Sequence, residues 1–164
     1  MLTISDYGFG HATRSAAINK ELLNNGDEIR IEIITSFSLS FLREVLIDSR
    51  VTFREASTDI GYVLQKNSLE PDIQCLNEKF DRYMGEWESR IHTELTYLAQ
   101  NKIDLVLSDI YPAPFPAAKK LGIPTIGLSN FTWYTAYKEL LEEHKLAKLK
   151  SAYNEMTYFL ALAG

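Results

Sequence analysis

The chain has 164 residues, 46% hydrophobic, 12% aromatic and 24% charged, the proportions of a single globular domain with a core of its own and not of a disordered or low-complexity chain. Seventeen Lys and Arg against 22 Asp and Glu leave a net charge of −5, which argues against nucleic acid as the main partner, since phosphate neutralisation needs a basic surface. One cysteine, Cys75, excludes an intramolecular disulfide and a multi-Cys zinc site and fits a reducing compartment.

The chain reads as alternating strands and helices. Met1 to Ser5 is a short apolar run ending at a glycine loop, a buried strand. Ala12 to Asn25 spaces Ala16, Ala17, Leu22 and Leu23 as a helix, stopped by Asn24-Asn25-Gly26. Ile29 to Thr35 is an isoleucine-rich strand, Ser38 to Ile47 a helix with Leu39, Leu42, Val45 and Leu46 on one side, and Val51 to Arg54 a strand. Glu55 to Pro71 has no sustained period and is expected to be a long loop, a kind that in compact domains is usually functional or mobile. A long helix follows from about Cys75 to Asn101. Its stripe of Leu76, Phe80, Tyr83, Trp87, Ile91, Leu95 and Leu98 reads as core rather than as a cofactor platform. Ile103 to Ser108 is a central parallel strand ending at Asp109, Ala117 to Leu121 a short helix after three closely spaced prolines, and Pro124 to Ser129 another strand. Trp133 to Lys150 is read as one amphipathic helix and Tyr158 to Ala163 as a final strand. Repeated βα units predict an α/β fold: a Rossmann-like, doubly wound, mostly parallel sheet with helices on both faces.

No apolar run approaches the roughly 20 residues that span a bilayer, and Met1 to Ile4 leading into Ser5-Asp6 is no signal peptide. A cytoplasmic protein without a transmembrane segment is expected, with peripheral membrane contact left open.

In such a sheet ligands sit at the carboxyl ends of the strands. Three segments fall there: Asp6-Tyr7-Gly8-Phe9-Gly10-His11, Asp109-Ile110-Tyr111-Pro112 and Asn130-Phe131-Thr132-Trp133. Gly8 and Gly10 allow a tight turn and close approach to the backbone, and the helix after them points free N–H groups into the loop. A dinucleotide fingerprint fails, because Thr13 stands at the third glycine position and no acidic residue ends the second strand at Ile34-Thr35-Ser36. A phosphate-binding Gly-Lys-Ser/Thr is missing as well. His11, at the mouth of a helix whose positive end disfavours imidazolium, is a candidate general base. Asp109, on the same sheet edge, is a candidate to hold its other ring nitrogen. The alternative is that His11 braces its own loop and Asp109 caps a turn. Arg14 opposes the helix dipole and either binds an anionic group of a ligand or partner, or is a solvated side chain or one paired with a nearby carboxylate. His92 and His144 read as surface residues, Cys75 has no basic neighbour to activate it, and no His, Asp or Glu cluster has metal-ligand spacing.

The run Tyr7-Gly8-Phe9-Gly10-His11-Ala12-Thr13-Arg14 resembles the Gly-His-Gly-Phe-Gly-His-Ala-Thr-Arg opening of a group of GT-B glycosyltransferase-like proteins that includes the N-terminal region of plant L-arabinokinases. Asp104 to Asp109, Gly122-Ile123-Pro124 and Asn130-Phe131-Thr132-Trp133 match later segments of that group in order and spacing. The resemblance implies residues 1–164 as one Rossmann-like GT-B N-terminal domain, the acceptor-binding side of an inverting hexosyl- or N-acetylhexosaminyl-transferase. It implies His11 as base and Asp109 as its support, with Gly8, Gly10, Arg14, Tyr111, Asn130 and Trp133 around a sugar or lipid-linked acceptor. No cofactor is expected. A nucleotide-sugar donor would be a co-substrate, bound mainly by a C-terminal domain absent from this chain and supplied in cis or by a partner chain. A non-catalytic sugar- or nucleotide-binding module that regulates a fused or partner enzyme, such as a sugar kinase, is the other reading.

Overall fold

The computed structural model describes residues 1–162. Six strands, β1 (Leu2–Ile4), β2 (Ile31–Thr35), β3 (Val51–Glu55), β4 (Val106–Asp109), β5 (Thr125–Ser129) and β6 (Tyr158–Ala161), form one sheet in the order β3-β2-β1-β4-β5-β6. Every pairing is parallel. The chain therefore leaves β1 in one direction across the sheet and returns to its other side at β4. That reversal opens a crevice at the carboxyl ends of these two neighbours, where Ile4 lies opposite Asp109.

Helices cover both faces, as the apolar strands demand. On one face α1 (Phe9–Asn25) and α2 (Leu39–Val45) bury Ala12, Ala16, Leu23 and Leu42 against Leu2, Ile4, Ile31 and Ile33. On the other face lie α3 (Ile73–Gly85), α4 (Trp87–Gln100), α5 (Pro114–Lys120), α6 (Trp133–Tyr137), a 3₁₀ turn (Glu143–Leu146) and α7 (Ala147–Tyr153). Their shared core includes Leu76, Phe80, Leu98, Phe115, Trp133, Tyr137 and Leu149.

Several boundaries differ from the sequence reading. The first helix begins at Phe9 and not Ala12, so Gly10 and His11 stand in its first turn. The long helix expected over Cys75 to Asn101 is two helices, α3 and α4. Gly85, a poor helix former, precedes Glu86, whose N–H turns back to the carbonyls of both Arg82 and Tyr83. That tightened turn separates the two helices while Tyr83 and Trp87 on either side of it stay buried. Likewise, Trp133 to Lys150 is not one helix. The N–H groups of Leu140 and Leu141 both close onto the Tyr137 carbonyl, and the chain turns before α7. Strand β4 starts at Val106 rather than Ile103, and Leu105 is exposed. Helix α5 starts three residues early, with Pro114 in its first turn. The loop after β3 runs to Asp72 and is tied by an isolated bridge between Leu64 and Pro71. Strand β6 is as expected up to Ala161, and Ala163, the end of the expected strand, lies outside the described residues.

Candidate active site

Helix α1 starts beside β4, and this register brings His11 to Asp109. Gly8 supplies the entry: its φ of 82° and ψ of 163° lie in a region that is essentially glycine's alone. No side chain caps the helix and no acidic residue occupies its first turn, so its open N–H groups face the crevice. His11 Nδ1 lies 2.8 Å from Asp109 Oδ1, and Asp109 is wholly buried. Contact with a carboxylate oxygen requires the proton on Nδ1, which leaves the lone pair on Nε2. Among the described residues Nε2 has no hydrogen-bond partner, and it is not sealed from solvent, so it is the ring atom open to a substrate.

Arg14, one helical turn on, completes the cluster. Its Nη2 donates to Asp109 Oδ1 at 2.6 Å and its Nε to Oδ2 at 3.3 Å. The same Nη2 lies 3.1 Å from His11 Nδ1, both N–H donors converging on Oδ1. The Ser15 hydroxyl adds a long bond to Oδ2 at 3.4 Å. The guanidinium thus supplies the counter-charge that a buried carboxylate needs. Arg14 is thus paired with a carboxylate, one of the readings left open by the sequence.

The turn carrying Asp109 is strained. Ile110, a β-branched residue, has φ of 68°, a genuine outlier for that side chain. Buried hydrogen bonds hold it: the Tyr153 hydroxyl donates to the Ile110 carbonyl at 2.5 Å, and the Ser108 hydroxyl to the Tyr111 carbonyl at 2.6 Å.

The remaining candidates divide. Gly10 is exposed in the first turn of α1, and Asn130 is exposed just beyond β5. Trp133 is buried at the start of α6, stacked on Tyr137 with centroids 5.2 Å apart and met edge-on by Tyr7, Tyr62 and Phe131. Phe131 in turn lies 6.1 Å from the His11 ring. Tyr111 is not brought against His11. It is buried, with its hydroxyl 3.4 Å from Glu94, which Arg54 binds from β3. His92 and His144 are both exposed. Among the described residues no group of three or more His, Cys, Asp or Glu is arranged to hold a metal, and no helix is long and apolar enough to cross a membrane.

Two carboxylates next to this cluster were not singled out in the sequence. Asp6 receives the Ser36 hydroxyl and the N–H groups of Ser36, Phe37 and Thr58. It therefore clasps the loops after β2 and β3 to the end of β1. Burial pushes its carboxyl up, but these donors outweigh it and hold the group below its ordinary value. Asp59 is the opposite case. Both its oxygens are sealed and, among the described residues, have no hydrogen-bond partner, and burial pushes it up to about 6. An acid at the end of a buried strand is a readable signal for Asp6. Asp59 lies in an aperiodic loop and gives none.

No family model matches the chain. An Arabidopsis thaliana L-arabinokinase is 28% identical over 137 residues, a match covering 83% of this chain and 13% of that protein. Among solved structures, Arabidopsis thaliana UGT89C1 complexed with quercetin superposes with a TM-score of 0.62 at 12% identity, over 99% of this chain and 42% of that one. The same protein complexed with UDP gives 0.59 at 13% identity, over 98% and 43%. The chain thus spans under half the length of the solved proteins and about an eighth of the curated one it matches. What these likenesses establish is the fold, that of a GT-B glycosyltransferase-like domain.

Proposed function

We propose that this chain is the acceptor-side domain of an inverting glycosyltransferase of hexosyl or N-acetylhexosaminyl type. The observation that carries the reading is the His11–Asp109 contact of 2.8 Å at the crevice between β1 and β4, with Nε2 left open. In this mechanism Nε2 takes the proton of an acceptor hydroxyl as its oxygen attacks the anomeric carbon of a nucleotide sugar. The bond to the nucleotide diphosphate breaks with its electron pair, and the configuration inverts. Asp109 holds the ring by Nδ1–H and stabilises the imidazolium that forms. Arg14 balances Asp109, while Gly8 and Gly10 keep the approach to His11 free of side chains. Asn130 and the aromatic surface over Trp133 border the acceptor, a sugar or a lipid-linked hydroxyl; Tyr111 supports the wall from behind.

The donor is held mainly by a second domain, in cis or from a partner chain. The UGT89C1 structures include complexes with UDP and with UDP-L-rhamnose, which supports a nucleotide-sugar donor. One unpaired, partly exposed cysteine suits a reducing compartment such as the cytoplasm. The L-arabinokinase match favours a second reading, a sugar- or nucleotide-binding module that regulates a kinase.

The test uses the chain joined to its donor domain. His11→Ala is expected to cut turnover by roughly a hundredfold or more with donor affinity little changed. Asp109→Asn should act in the same direction and less than additively with it. Near-normal turnover in the His11 variant refutes the base. Ligand binding without transfer by the joined wild-type protein favours the regulatory module.

A further inference from the structure

Asp59 stands on a pinned segment. Beside it the Thr58 N–H is held by Asp6 and the Thr58 hydroxyl by the Ile4 carbonyl. The Tyr83 hydroxyl donates to the Thr58 carbonyl at 3.0 Å and the Tyr137 hydroxyl to the Gly61 carbonyl at 2.7 Å. With the backbone fixed on both sides, the carboxyl is turned inward, sealed and without a partner. A second orphan faces it. Trp133 Nε1 is also sealed and unpartnered, and Asp59 and Trp133 line the same cavity of about 10 Å³ with Phe80, Tyr83 and Tyr137. A buried acceptor and a buried donor are each costly when unpaired. Here each is the other's natural complement.

We propose that Asp59 is a positioning residue: its carboxylate takes the Trp133 indole N–H and so fixes the aromatic wall that adjoins His11. Trp133 is the hub of that wall, 5.4 to 5.7 Å from the rings of Phe131, Tyr62 and Tyr7, and Phe131 reaches the His11 ring. The Ser5 hydroxyl, also beside Asp59, already accepts the Tyr7 N–H, so its proton is free to donate a second bond.

The pairing depends on pH. Burial pushes the Asp59 carboxyl up to about 6, against the pull of the Ser5 and Trp133 donors and of His11, while Asp6 pushes it further up. The titratable groups facing it are Asp6 at the end of β1, His11 on α1, Tyr83 on α3, Tyr137 on α6 and Tyr153 on α7. Burial drives the three tyrosines above their ordinary range, and Asp6 is held low by its donors. The wall is therefore fixed on the alkaline side of about pH 6 and released on the acid side.

The link to catalysis rests on the reading of His11 as base; the pairing does not. The experiment follows the two indole N–H signals of the nitrogen-15-labelled chain against pH, with Trp133→Phe assigning them. The Trp133 signal is expected to move downfield as the pH rises through about 6, to lose that movement in Asp59→Asn and to keep it in His11→Gln. A flat Trp133 signal in the wild type, or an unchanged titration in Asp59→Asn, overturns the pairing. Should Asp59→Asn not fold, the wild-type Asp59 carboxyl is followed by carbon-13: coincident carboxyl and indole midpoints support the pair and separate midpoints overturn it. In the enzyme with its donor domain, Asp59→Asn should remove Asp59's share of the acidic limb of the kcat/KM profile and so change its shape, leaving the share that belongs to the base. An unchanged limb overturns the positioning role, whereas the His11→Ala result bears on the base alone.

Discussion

Around His11 one carboxylate is paired with a cation, one is saturated with donors and one is raised by burial, and each makes a different prediction. Asp109 is wholly buried and its only described cation is Arg14, bound through both Nε and Nη2. Arg14→Met strands that carboxylate and should cost about 3–5 kcal/mol, read from urea unfolding near neutral pH; a loss under about 1 kcal/mol would mean that the pair behaves like an exposed one. Asp6 and Asp59 then split by sign. The folded protein holds Asp6 below its ordinary value, so its stabilising effect is present above the unfolded value near 4 and is lost as the pH falls through the lower folded one. Asp59 is raised from 3.8 to about 6. Its folded form is therefore penalised above about pH 6, by about 3 kcal/mol for a shift of some two units, and the penalty fades as the pH falls towards 4. Asp59→Asn should accordingly be more stable than the wild type at pH 8 and equal to it near pH 4, while Asp6→Asn should be less stable at pH 8. Thermal unfolding of both variants across that range checks the pair of signs.

At the level of elements, the site depends on how the turn after β4 is tied to the start of α6. One hydroxyl does this: Tyr153 donates to the Ile110 carbonyl and accepts the Trp133 N–H at 3.1 Å. Tyr153→Phe leaves both backbone groups buried and unpaired and should cost roughly 1–3 kcal/mol, with the strained φ of Ile110 relaxing and turnover in the joined enzyme falling along with stability. An unaltered unfolding midpoint would show that the turn is held by the Ser108 bond alone. None of this was legible in the sequence, because nothing marks an isoleucine for positive φ or a tyrosine for a long-range bridge. What was legible had local causes. The apolar runs gave six strands, and glycine spacing gave the entry to α1. The His11 and Asp109 positions followed from the rule that sites gather at strand ends. The helix breaks at Glu86 and after Tyr137 were missed because the apolar stripes run on through them. There the buried pairs, Tyr83 with Trp87 and Tyr137 with Leu141, stay buried across a broken helix, and tertiary packing overrides periodicity. Asp59 escaped notice because burial in an aperiodic loop leaves no pattern to read.

For the whole molecule, the proposed function raises the question of which half of a transfer reaction this surface would serve. A nucleotide sugar presents a diphosphate, which is held by cations or open helix N-termini. The chain carries a net charge of −5, and the guanidinium at the crevice, Arg14, is already committed to Asp109. The open start of α1 remains, but one helix terminus beside a buried carboxylate is a weak hold for two phosphates. The faces beside His11 are instead aromatic: Tyr7 and the partly buried Tyr62 and Phe131 on one side, exposed Phe9 and Phe37 on the other, the latter two with centroids 5.0 Å apart. Such surfaces suit an uncharged ring-bearing acceptor better than a diphosphate. Catalysis needs both substrates held together, so the chain alone is expected to give no detectable calorimetric binding of UDP or a UDP-hexose at millimolar concentration and no sugar transfer, while remaining folded by circular dichroism. On the proposed function, joining it to a donor-binding domain should give transfer. Micromolar UDP binding or robust transfer by the chain alone would contradict the division of labour, because the diphosphate would then have a site on this surface that its charges do not provide.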